Sequence, residues 1–183
     1  YLMSRIIGFK LIHNTAELYI NRSNTGIKRR LNDKLFNKYG LYFYDGYIPI
    51  SQAIINYFKI KHRVYHYIPT ITDISAYDSI KIKAGLGKYF LFCGSAAYYT
   101  AVEFIINAFK LSNLTDHTLI LVTGGSMSEI NKIRDKIAAV GLENKIEIKS
   151  GIPDKELLTY YKSAIALLLP MFETIQDKAR FPH

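Results

Sequence analysis

Residues 89–170 contain four apolar runs in succession: Tyr89-Phe-Leu-Phe-Cys-Gly94, Thr118-Leu-Ile-Leu-Val-Thr-Gly-Gly125, Lys145-Ile-Glu-Ile-Lys149 and Ile165-Ala-Leu-Leu-Leu-Pro170. The segments between them repeat apolar residues at helical spacing. Buried strands that alternate with amphipathic helices are typical of an α/β protein whose parallel sheet is flanked by helices on both faces. Such sheets bind ligands at the carboxyl ends of their strands, where glycines occur here. The sequence therefore predicts half of a nucleotide-binding domain.

A similar alternation precedes this block. Phe9-Lys-Leu-Ile-His13 and Val64-Tyr-His-Tyr-Ile68 are predicted to be short strands, and the residues from Gly26 to Tyr39 an amphipathic helix. Residues 73–88 show no sustained periodicity and are predicted to be a linker between a part formed by residues 1–72 and a part formed by residues 89–183. Because the chain ends before the helix that a parallel sheet would need next, we expect the second domain to be incomplete.

The basic residues are concentrated in the N-terminal part. Residues 1–75 carry 11 Lys and Arg against 4 Asp and Glu, and residues 76–183 carry 13 against 11, in a chain of net charge +9. A basic surface favours an anionic partner such as a lipid headgroup, a membrane face or nucleic acid, although it could equally serve solubility alone. The single Cys93 excludes a disulfide framework, fits a reducing compartment and is predicted to be a small core residue.

Glycine turns follow three of the apolar runs: Gly94-Ser95, Gly124-Gly125-Ser126 and Gly151-Ile152-Pro153. A glycine lets a phosphate approach the backbone, and the amides at the next helix start can bind anions. Each turn is also an ordinary strand-to-helix connection, so one turn alone is a weak indication. Neither the P-loop Gly-Lys-Ser/Thr nor the dinucleotide pattern Gly-x-Gly-x-x-Gly is present, which excludes those two kinds of loop.

One histidine and two cations are further candidates. His13 lies at the predicted carboxyl end of a strand, a position that favours a functional residue over a core residue. Lys178 and Arg180 follow the fourth run, where they could meet a diphosphate or remain in a solvated loop. His62 and His66 have no nearby carboxylate, and no Asp-x-Asp pair occurs, so no metal site is predicted.

The order of these motifs resembles the family-4 glycosyltransferases, which have two Rossmann-like domains (the GT-B fold). The segments that carry the resemblance are Tyr89-Phe-Leu-Phe-Cys-Gly-Ser95 with Phe104-Ile-Ile-Asn-Ala-Phe109, Leu119-Ile-Leu-Val-Thr-Gly-Gly125, Ile146-Glu-Ile-Lys-Ser-Gly151 with Glu156-Leu-Leu-Thr-Tyr-Tyr-Lys-Ser-Ala164, Ile165-Ala-Leu-Leu-Leu-Pro170, Lys178-Ala-Arg-Phe-Pro-His183, Asp45-Gly-Tyr-Ile-Pro-Ile-Ser51 and Tyr67-Ile-Pro-Thr-Ile-Thr-Asp73. The resemblance covers nearly the whole chain. It implies that residues 1–72 are the C-terminal part of an acceptor-side domain and that residues 89–183 are the first half of a nucleotide-sugar domain.

The resemblance also implies roles for individual residues. It places the donor diphosphate at Gly94 and Ser95, the nucleotide at Gly124 and Gly125, and the base at Gly151 and Ile152. His13 would face the donor sugar and the acceptor as the catalytic residue. The basic residue and the Lys-Gly pair that usually follow the first glycine turn are replaced by Ser95-Ala-Ala-Tyr-Tyr-Thr-Ala101. Lys178 or Arg180 would supply the missing charge, and the carboxylate that holds the ribose would lie beyond His183.

The predicted activity is transfer of a hexose from a nucleotide-diphosphate donor to a hydroxyl of a polysaccharide or lipid-linked acceptor, as in capsule synthesis, without a cofactor or metal. Retention at the anomeric centre follows from the resemblance alone. We expect the isolated chain to be inactive, and the protein to be cytoplasmic and peripheral at the membrane through the basic segment Lys28–Lys38, with no nucleic-acid partner. The alternative is a non-catalytic Rossmann-type module that binds a nucleotide or a nucleic acid.

Overall fold

The computed structural model describes residues 2–16, 18, 26–69, 71, 74–80, 85 and 87–179. In chain order, the elements are α1 (Leu2–Ile7), β1 (Ile12–Thr15), α2 (Ile27–Tyr39), β2 (Gly46–Pro49), α3 (Gln52–Tyr57), α4 (Ile74–Asp78), β3 (Lys88–Ser95), α5 (Tyr99–Ser112), β4 (His117–Gly124), α6 (Met127–Val140), β5 (Ile146–Lys149), α7 (Asp154–Ser163), β6 (Ala166–Leu167) and α8 (Ile175–Ala179), with 3₁₀ turns at Gly40–Phe43 and Ile60–His62. Among these helices, none is both long and apolar enough to cross a membrane.

Two compact units divide the chain. The first comprises Tyr1–Thr72 together with Phe172–His183, and the second comprises Asp73–Met171. The first unit is therefore assembled from two separated parts of the sequence. Each unit has a core of its own.

The core of the first unit lies beside a two-stranded parallel sheet, in which Ile12 of β1 is opposite Gly46 of β2. Its buried side chains are Leu18, Leu41, Tyr47, Ile54, Ile55, Ile60 and Ala179. The helix α3 begins after Ser51, whose hydroxyl caps it by accepting a hydrogen bond from the Ile54 amide. The same hydroxyl donates to the Ala179 carbonyl oxygen at 2.7 Å and so joins α8 to this core.

Two strand predictions in the first unit are wrong. The first strand begins at Ile12 rather than Phe9 and continues to Thr15, because the Leu11 amide donates to the Asp45 carboxylate at 2.9 Å instead of to a strand. Residues 64–68 follow β2 with only an isolated bridge between Tyr65 and Tyr47. Pro49 at the end of β2 has no amide hydrogen with which to extend that pairing.

The predicted helix over residues 27–39 is confirmed as α2, and none of its side chains is buried. The apolar residues that recur along the helix are exposed to solvent: the exposed fraction is 85 % for Ile27 and 57 % for Leu31. The helical period of the sequence therefore produces an amphipathic helix whose apolar stripe has no cover among the described residues.

The second unit is a four-stranded parallel sheet with the order β5-β4-β3-β6, which confirms the predicted α/β class. Phe92 of β3 packs with α5 and α6 on one face, whereas Tyr89 and Leu91 pack with Tyr160 of α7 on the other. Buried Tyr89 satisfies its hydroxyl by donating to the Tyr160 carbonyl oxygen at 2.7 Å. Alternate residues of a continuous apolar strand thus serve two cores.

Three details of the second unit differ from the predictions. The fourth strand is only Ala166–Leu167, since Pro170 has no amide hydrogen with which to continue the ladder. Asp154, a residue type that favours the N-cap, is predicted from the sequence to cap the helix that follows it. The N-cap of α7 is instead Pro153, and Asp154 is the first helical residue. The segment predicted as a linker contains α4, and the Lys162 ammonium donates to its last carbonyl oxygens, those of Tyr77 at 3.3 Å and Asp78 at 3.1 Å.

Candidate functional site

The glycine turns of the second unit lie at one edge of its sheet. Strand pairing sets Gly94 opposite Thr123 and Ser95 opposite Gly124. The next residue after β5, Ser150, donates its hydroxyl hydrogen to the Thr123 carbonyl oxygen at 2.6 Å. The structure therefore brings the six predicted donor-binding residues of this unit to the carboxyl edge of neighbouring strands: Gly94, Ser95, Gly124, Gly125, Gly151 and Ile152.

The turn between β3 and α5 is held by its own hydrogen bonds. The Ala96 amide donates to the Gly124 carbonyl oxygen at 2.9 Å, and the Tyr98 amide donates to the Ser95 carbonyl oxygen at 3.0 Å. The Ala97 amide donates to the Ser95 hydroxyl at 3.3 Å. An anion that binds these amides must therefore displace the turn's internal bonds.

The start of α5 is the part of this edge best suited to an anion. Its N-cap, Tyr98, provides no side-chain capping hydrogen bond, and its first turn contains no Asp or Glu. The first amides of a helix have no partner within the helix and carry the positive end of its dipole. A phosphate group at this position would meet amide hydrogens without a competing carboxylate from the first turn of α5.

The turn before α6 has the opposite character. The Glu129 carboxylate accepts hydrogen bonds from the Ser126 amide at 2.7 Å and from the Ser126 hydroxyl at 2.8 Å. These bonds lower the pKa of Glu129 and keep it charged at the helix start. Ser126 and Glu129 form a capping box, as their spacing in the sequence predicts, and the Glu129 carboxylate already occupies the place that a phosphate would take. Gly124 and Gly125 therefore suit an uncharged part of a ligand.

The turn after β5 combines a special backbone with an apolar side chain. Gly151 has φ +67°, a backbone conformation that residues other than glycine rarely adopt. Ile152 packs against the core that contains Tyr160. Asp154 and Glu156 lie in the first turn of the helix that follows. An apolar wall beside backbone polar groups fits a flat heterocycle better than a phosphate.

Two groups beneath this edge are engaged with their neighbours. Cys93 packs against the α7 core as expected of a small core residue. The pKa of Tyr161, which packs against the same core, is raised chiefly by burial and further by the neighbouring Cys93. Lys149 pairs with Glu147 and lies 5.5 Å from the centre of the Tyr160 ring. The Lys149 ammonium thus forms an ion pair with Glu147 on the same strand.

His13 belongs to the first unit and lies inside β1 rather than at its end. Its ring contacts those of Tyr44, at a centroid distance of 4.6 Å, and Phe36, at 5.5 Å. Burial lowers the pKa of His13 below its ordinary value of 6.5, so the neutral ring is favoured.

The Thr15 hydroxyl lies beside one nitrogen of this ring. It is 2.9 Å from His13 Nδ1 and 3.4 Å from the His13 carbonyl oxygen, to which it can donate its hydrogen. In the tautomer with the ring hydrogen on Nδ1, that hydrogen is donated to the Thr15 hydroxyl and Nε2 keeps its lone pair. A neutral imidazole with a free lone pair is the form required of a general base.

The two predicted cations differ in what the structure shows of them. Lys178 lies in α8 of the first unit, where its exposed ammonium is 3.7 Å from the Glu173 carboxylate. A pair as exposed as this contributes little stability and leaves the lysine free to exchange partners. Arg180 lies outside the described residues. Among the residues that are described, no group of three or more His, Cys, Asp and Glu side chains is arranged to hold a metal ion.

Residues 75–175, more than half of the chain, match the family described as Glycosyl transferases group 1. The chain belongs to this family. The match spans the whole second unit except its first two residues, and so contains all three glycine turns.

The fold of this group 1 glycosyl transferase is that of the GT-B enzymes. Sucrose-phosphate synthase from Thermosynechococcus elongatus superposes with a TM-score of 0.68 at 19% identity, covering 87% of this chain and 44% of that chain. HepE from Anabaena in complex with UDP-glucose superposes with 0.67 at 16% identity, covering 91% and 48%. A glycosyltransferase from Rickettsia africae superposes with 0.61 at 13% identity, covering 91% and 52%.

The chain thus spans about half the length of the solved structures that it matches. A search of curated protein sequences found no significant match. The resemblance to glycosyltransferases with parallel sheets flanked by helices is confirmed.

Sequence reasoning missed one residue of the site in this glycosyl transferase. Thr123, the residue before Gly124, has an exposed fraction of 2 %, and within the described part of the chain its Oγ1 atom has no hydrogen-bond partner. A polar residue at the last apolar position of a strand is a faint signal in the sequence. Only the packing shows that its hydroxyl is buried and unpaired.

Proposed function

We propose that the protein is a hexosyltransferase that moves a sugar from a nucleotide-diphosphate donor to a hydroxyl acceptor. The observation that carries this proposal is the convergence of three strand-to-helix turns at one sheet edge in a chain of the group 1 family. The complex of HepE with UDP-glucose supports a nucleotide sugar as the donor class. In this proposal residues 1–72, which form the first unit together with Phe172–His183, belong to an acceptor-side domain, and the residues from 89 to 171 begin the nucleotide-sugar domain.

The three turns divide the donor between them. The diphosphate binds at the Gly94–Ser95 turn and the start of α5, whose first turn contains no Asp or Glu. The nucleoside lies along the Gly124–Gly125 turn, and the base rests against Gly151 and Ile152. Amides that are fixed before reaction stabilise the charge that develops on the leaving diphosphate. We propose a metal-independent reaction with retention at the anomeric centre. In this proposal no residue binds a metal or a cofactor.

His13 is the proposed catalytic residue of the acceptor side. Its neutral ring, with Nδ1 bound to Thr15, presents Nε2 as the atom that accepts a proton from a hydroxyl. Lys178 and Arg180 are the proposed sources of further positive charge for the diphosphate, with Lys178 exchanging Glu173 for the ligand. Because the chain spans about half of its structural relatives, we expect turnover to require the longer protein.

The acceptor and the location belong to the same proposal. A glycan or lipid-linked acceptor, as in polysaccharide or capsule synthesis, would bring the enzyme to a membrane, and α2 has the properties of a surface anchor. Its exposed apolar stripe lies on a helix with five basic residues: Lys28, Arg29, Arg30, Lys34 and Lys38. Helices of this composition bind anionic headgroups and the underlying apolar layer. We therefore propose a cytoplasmic enzyme that is peripheral at the membrane.

A thermal-shift series tests the donor class. Uridine and guanosine diphosphates and their sugars, at about 100 times the dissociation constant, should raise the melting temperature by roughly 5–10 °C. The corresponding nucleosides should raise it much less, because they lack the phosphates that α5 binds. A protein that responds to no nucleotide sugar in a broad panel would contradict the proposal.

The non-catalytic module remains the alternative that this experiment separates. Binding of DNA or RNA that weakens steeply with salt, in a protein without a response to nucleotide sugars, would assign α2 to a phosphate backbone instead. The capped start of α6 argues against a general phosphate-binding edge, because Glu129 repels a polyanion there.

A further inference from the structure

The Thr123 hydroxyl is an unsatisfied polar group inside the proposed donor edge. The residue is 98 % buried, its carbonyl oxygen accepts from Ser150 at 2.6 Å, and its Oγ1 atom has no hydrogen-bond partner among the residues that the structure describes. A buried hydroxyl without a partner is destabilising, whereas a valine of nearly the same shape would avoid this cost. Folding alone therefore gives no reason for threonine at this position.

The direction of the side chain places this hydroxyl under the turns that the donor uses. Along β4, Leu119 and Leu121 face the α5 and α6 core. Thr123 lies two residues further along the strand, so its side chain points to the same face of the sheet. Its partner across the strand pair is Gly94, which has no side chain to offer it a hydrogen bond. The hydroxyl thus lies next to the Gly94–Ser95 turn, on the face where α5 begins.

The turn between β3 and α5 borders this part of the edge. The turn from Ser95 to Tyr98 is fastened to β4 by the bond from the Ala96 amide to the Gly124 carbonyl oxygen. Within the turn, the Ala97 amide donates a further hydrogen bond to the Ser95 hydroxyl at 3.3 Å. When these bonds open, the amides of the turn and the Thr123 hydroxyl become available to the same ligand. All of these groups donate hydrogen, and phosphate oxygens accept it.

We infer that Thr123 is a donor-binding residue whose hydroxyl pairs with a phosphate oxygen of the nucleotide diphosphate when the turn opens. This inference rests on the proposed function. In the ligand-free protein the unpaired hydroxyl raises the free energy of the folded state, and the hydrogen bond to the phosphate oxygen removes this cost when the diphosphate binds. An enclosed water molecule on the same hydroxyl is the competing explanation, and it predicts no effect on donor affinity.

The test compares Thr123→Val and Thr123→Ser in calorimetric titrations of the protein with uridine and guanosine diphosphates. Thr123→Val should weaken diphosphate binding about tenfold, as the loss of one hydrogen bond to a charged group predicts. Its melting temperature without ligand should stay the same or rise. Thr123→Ser, which keeps the hydroxyl and loses a buried methyl group, should melt lower yet bind the diphosphate within about threefold of the original protein.

The outcomes separate this inference from the function on which it rests. If the original protein binds no nucleotide diphosphate, the proposed function fails and this inference fails with it. If the original protein binds and Thr123→Val binds equally well, the proposed function stands and the inference is overturned. Loss of both affinity and melting temperature in both variants would assign Thr123 a structural role and would also overturn it.

Discussion

Two adjacent glycines in the turn before α6 differ in the space around them. A Cβ atom at Gly125 would lie 2.9 Å from the Ala96 Cβ and 2.8 Å from the Glu129 carboxylate, whereas one at Gly124 would meet nothing within 4 Å. We therefore expect Gly125→Ala to lower the free energy of unfolding by about 1–3 kcal/mol, since neither the loop methyl group nor the capping carboxylate can move cheaply.

Gly124→Ala is the matched control for this prediction, because it adds the same methyl group one residue earlier into open space. It should unfold within about 0.5 kcal/mol of the original protein in urea. Equal losses in the two variants would show that backbone freedom, and not the approach of Ala96 and Glu129, requires glycine in this turn.

His13 should make stability depend on pH. Burial lowers its pKa in the folded protein below 6.5, so folding favours the neutral ring. The stabilisation is present above pH 6.5 and is lost as the pH falls through the lower pKa of the folded state. Between pH 7 and pH 5 the original protein should lose more free energy of unfolding than His13→Gln, measured by urea unfolding at each pH. Parallel pH profiles would contradict this assignment.

The sequence predicted the positions of the site residues better than their chemistry. The glycines follow from strand patterns, so their shared edge is predictable from the chain alone. The unpaired state of Thr123 is not, because it depends on Gly94 lying opposite it in the sheet. Likewise, the spacing of Ser126 and Glu129 predicts a capping box, but only the geometry shows that the carboxylate occupies an anion position.

Among the elements, α2 shows most clearly how local pattern and tertiary environment differ. Its period of apolar residues is that of a buried helix, yet Ile27, Leu31, Leu35 and Tyr39 are all exposed. Periodicity reports that one face is apolar and does not report what covers that face. The short strands β1 and β6 were mispredicted for a related reason, since the pairing partner sets where a strand ends.

The proposed anchor predicts that α2 binds anionic membranes. Ile27→Ser combined with Leu31→Ser should reduce binding to vesicles of phosphatidylcholine and phosphatidylglycerol about tenfold or more, because it removes two apolar side chains from the lipid-facing stripe. Binding is measured by co-sedimentation, with vesicles of phosphatidylcholine alone for comparison.

Leu111 of α5 provides the control, since it is 80% exposed and lies on a different helix. Leu111→Ser should leave vesicle binding unchanged. If the α2 variant binds as well as the original protein, or if the original protein does not distinguish the two kinds of vesicle, α2 is not the anchor.

For the whole molecule, the alternation of strands and helices was sufficient to predict the α/β class and the parallel sheet of the second unit. It was sufficient because buried parallel strands are recognisable as continuous apolar runs, and because each run here is followed by a helix. The assignment of residues 172–183 to the first unit was not predictable in this way. It depends on a contact across 128 residues, that between Ser51 and Ala179, and no local pattern reports such a contact.

That contact also sets an order of events during synthesis. The first unit begins earlier in the chain than the second but cannot place Ala179 in its core until α8 has been synthesised. Domains fold as their own residues become available, and long loops slow closure. The side chains of the first unit that pack with Ala179 therefore lack this partner while the strands of the second unit up to Leu167 are being translated.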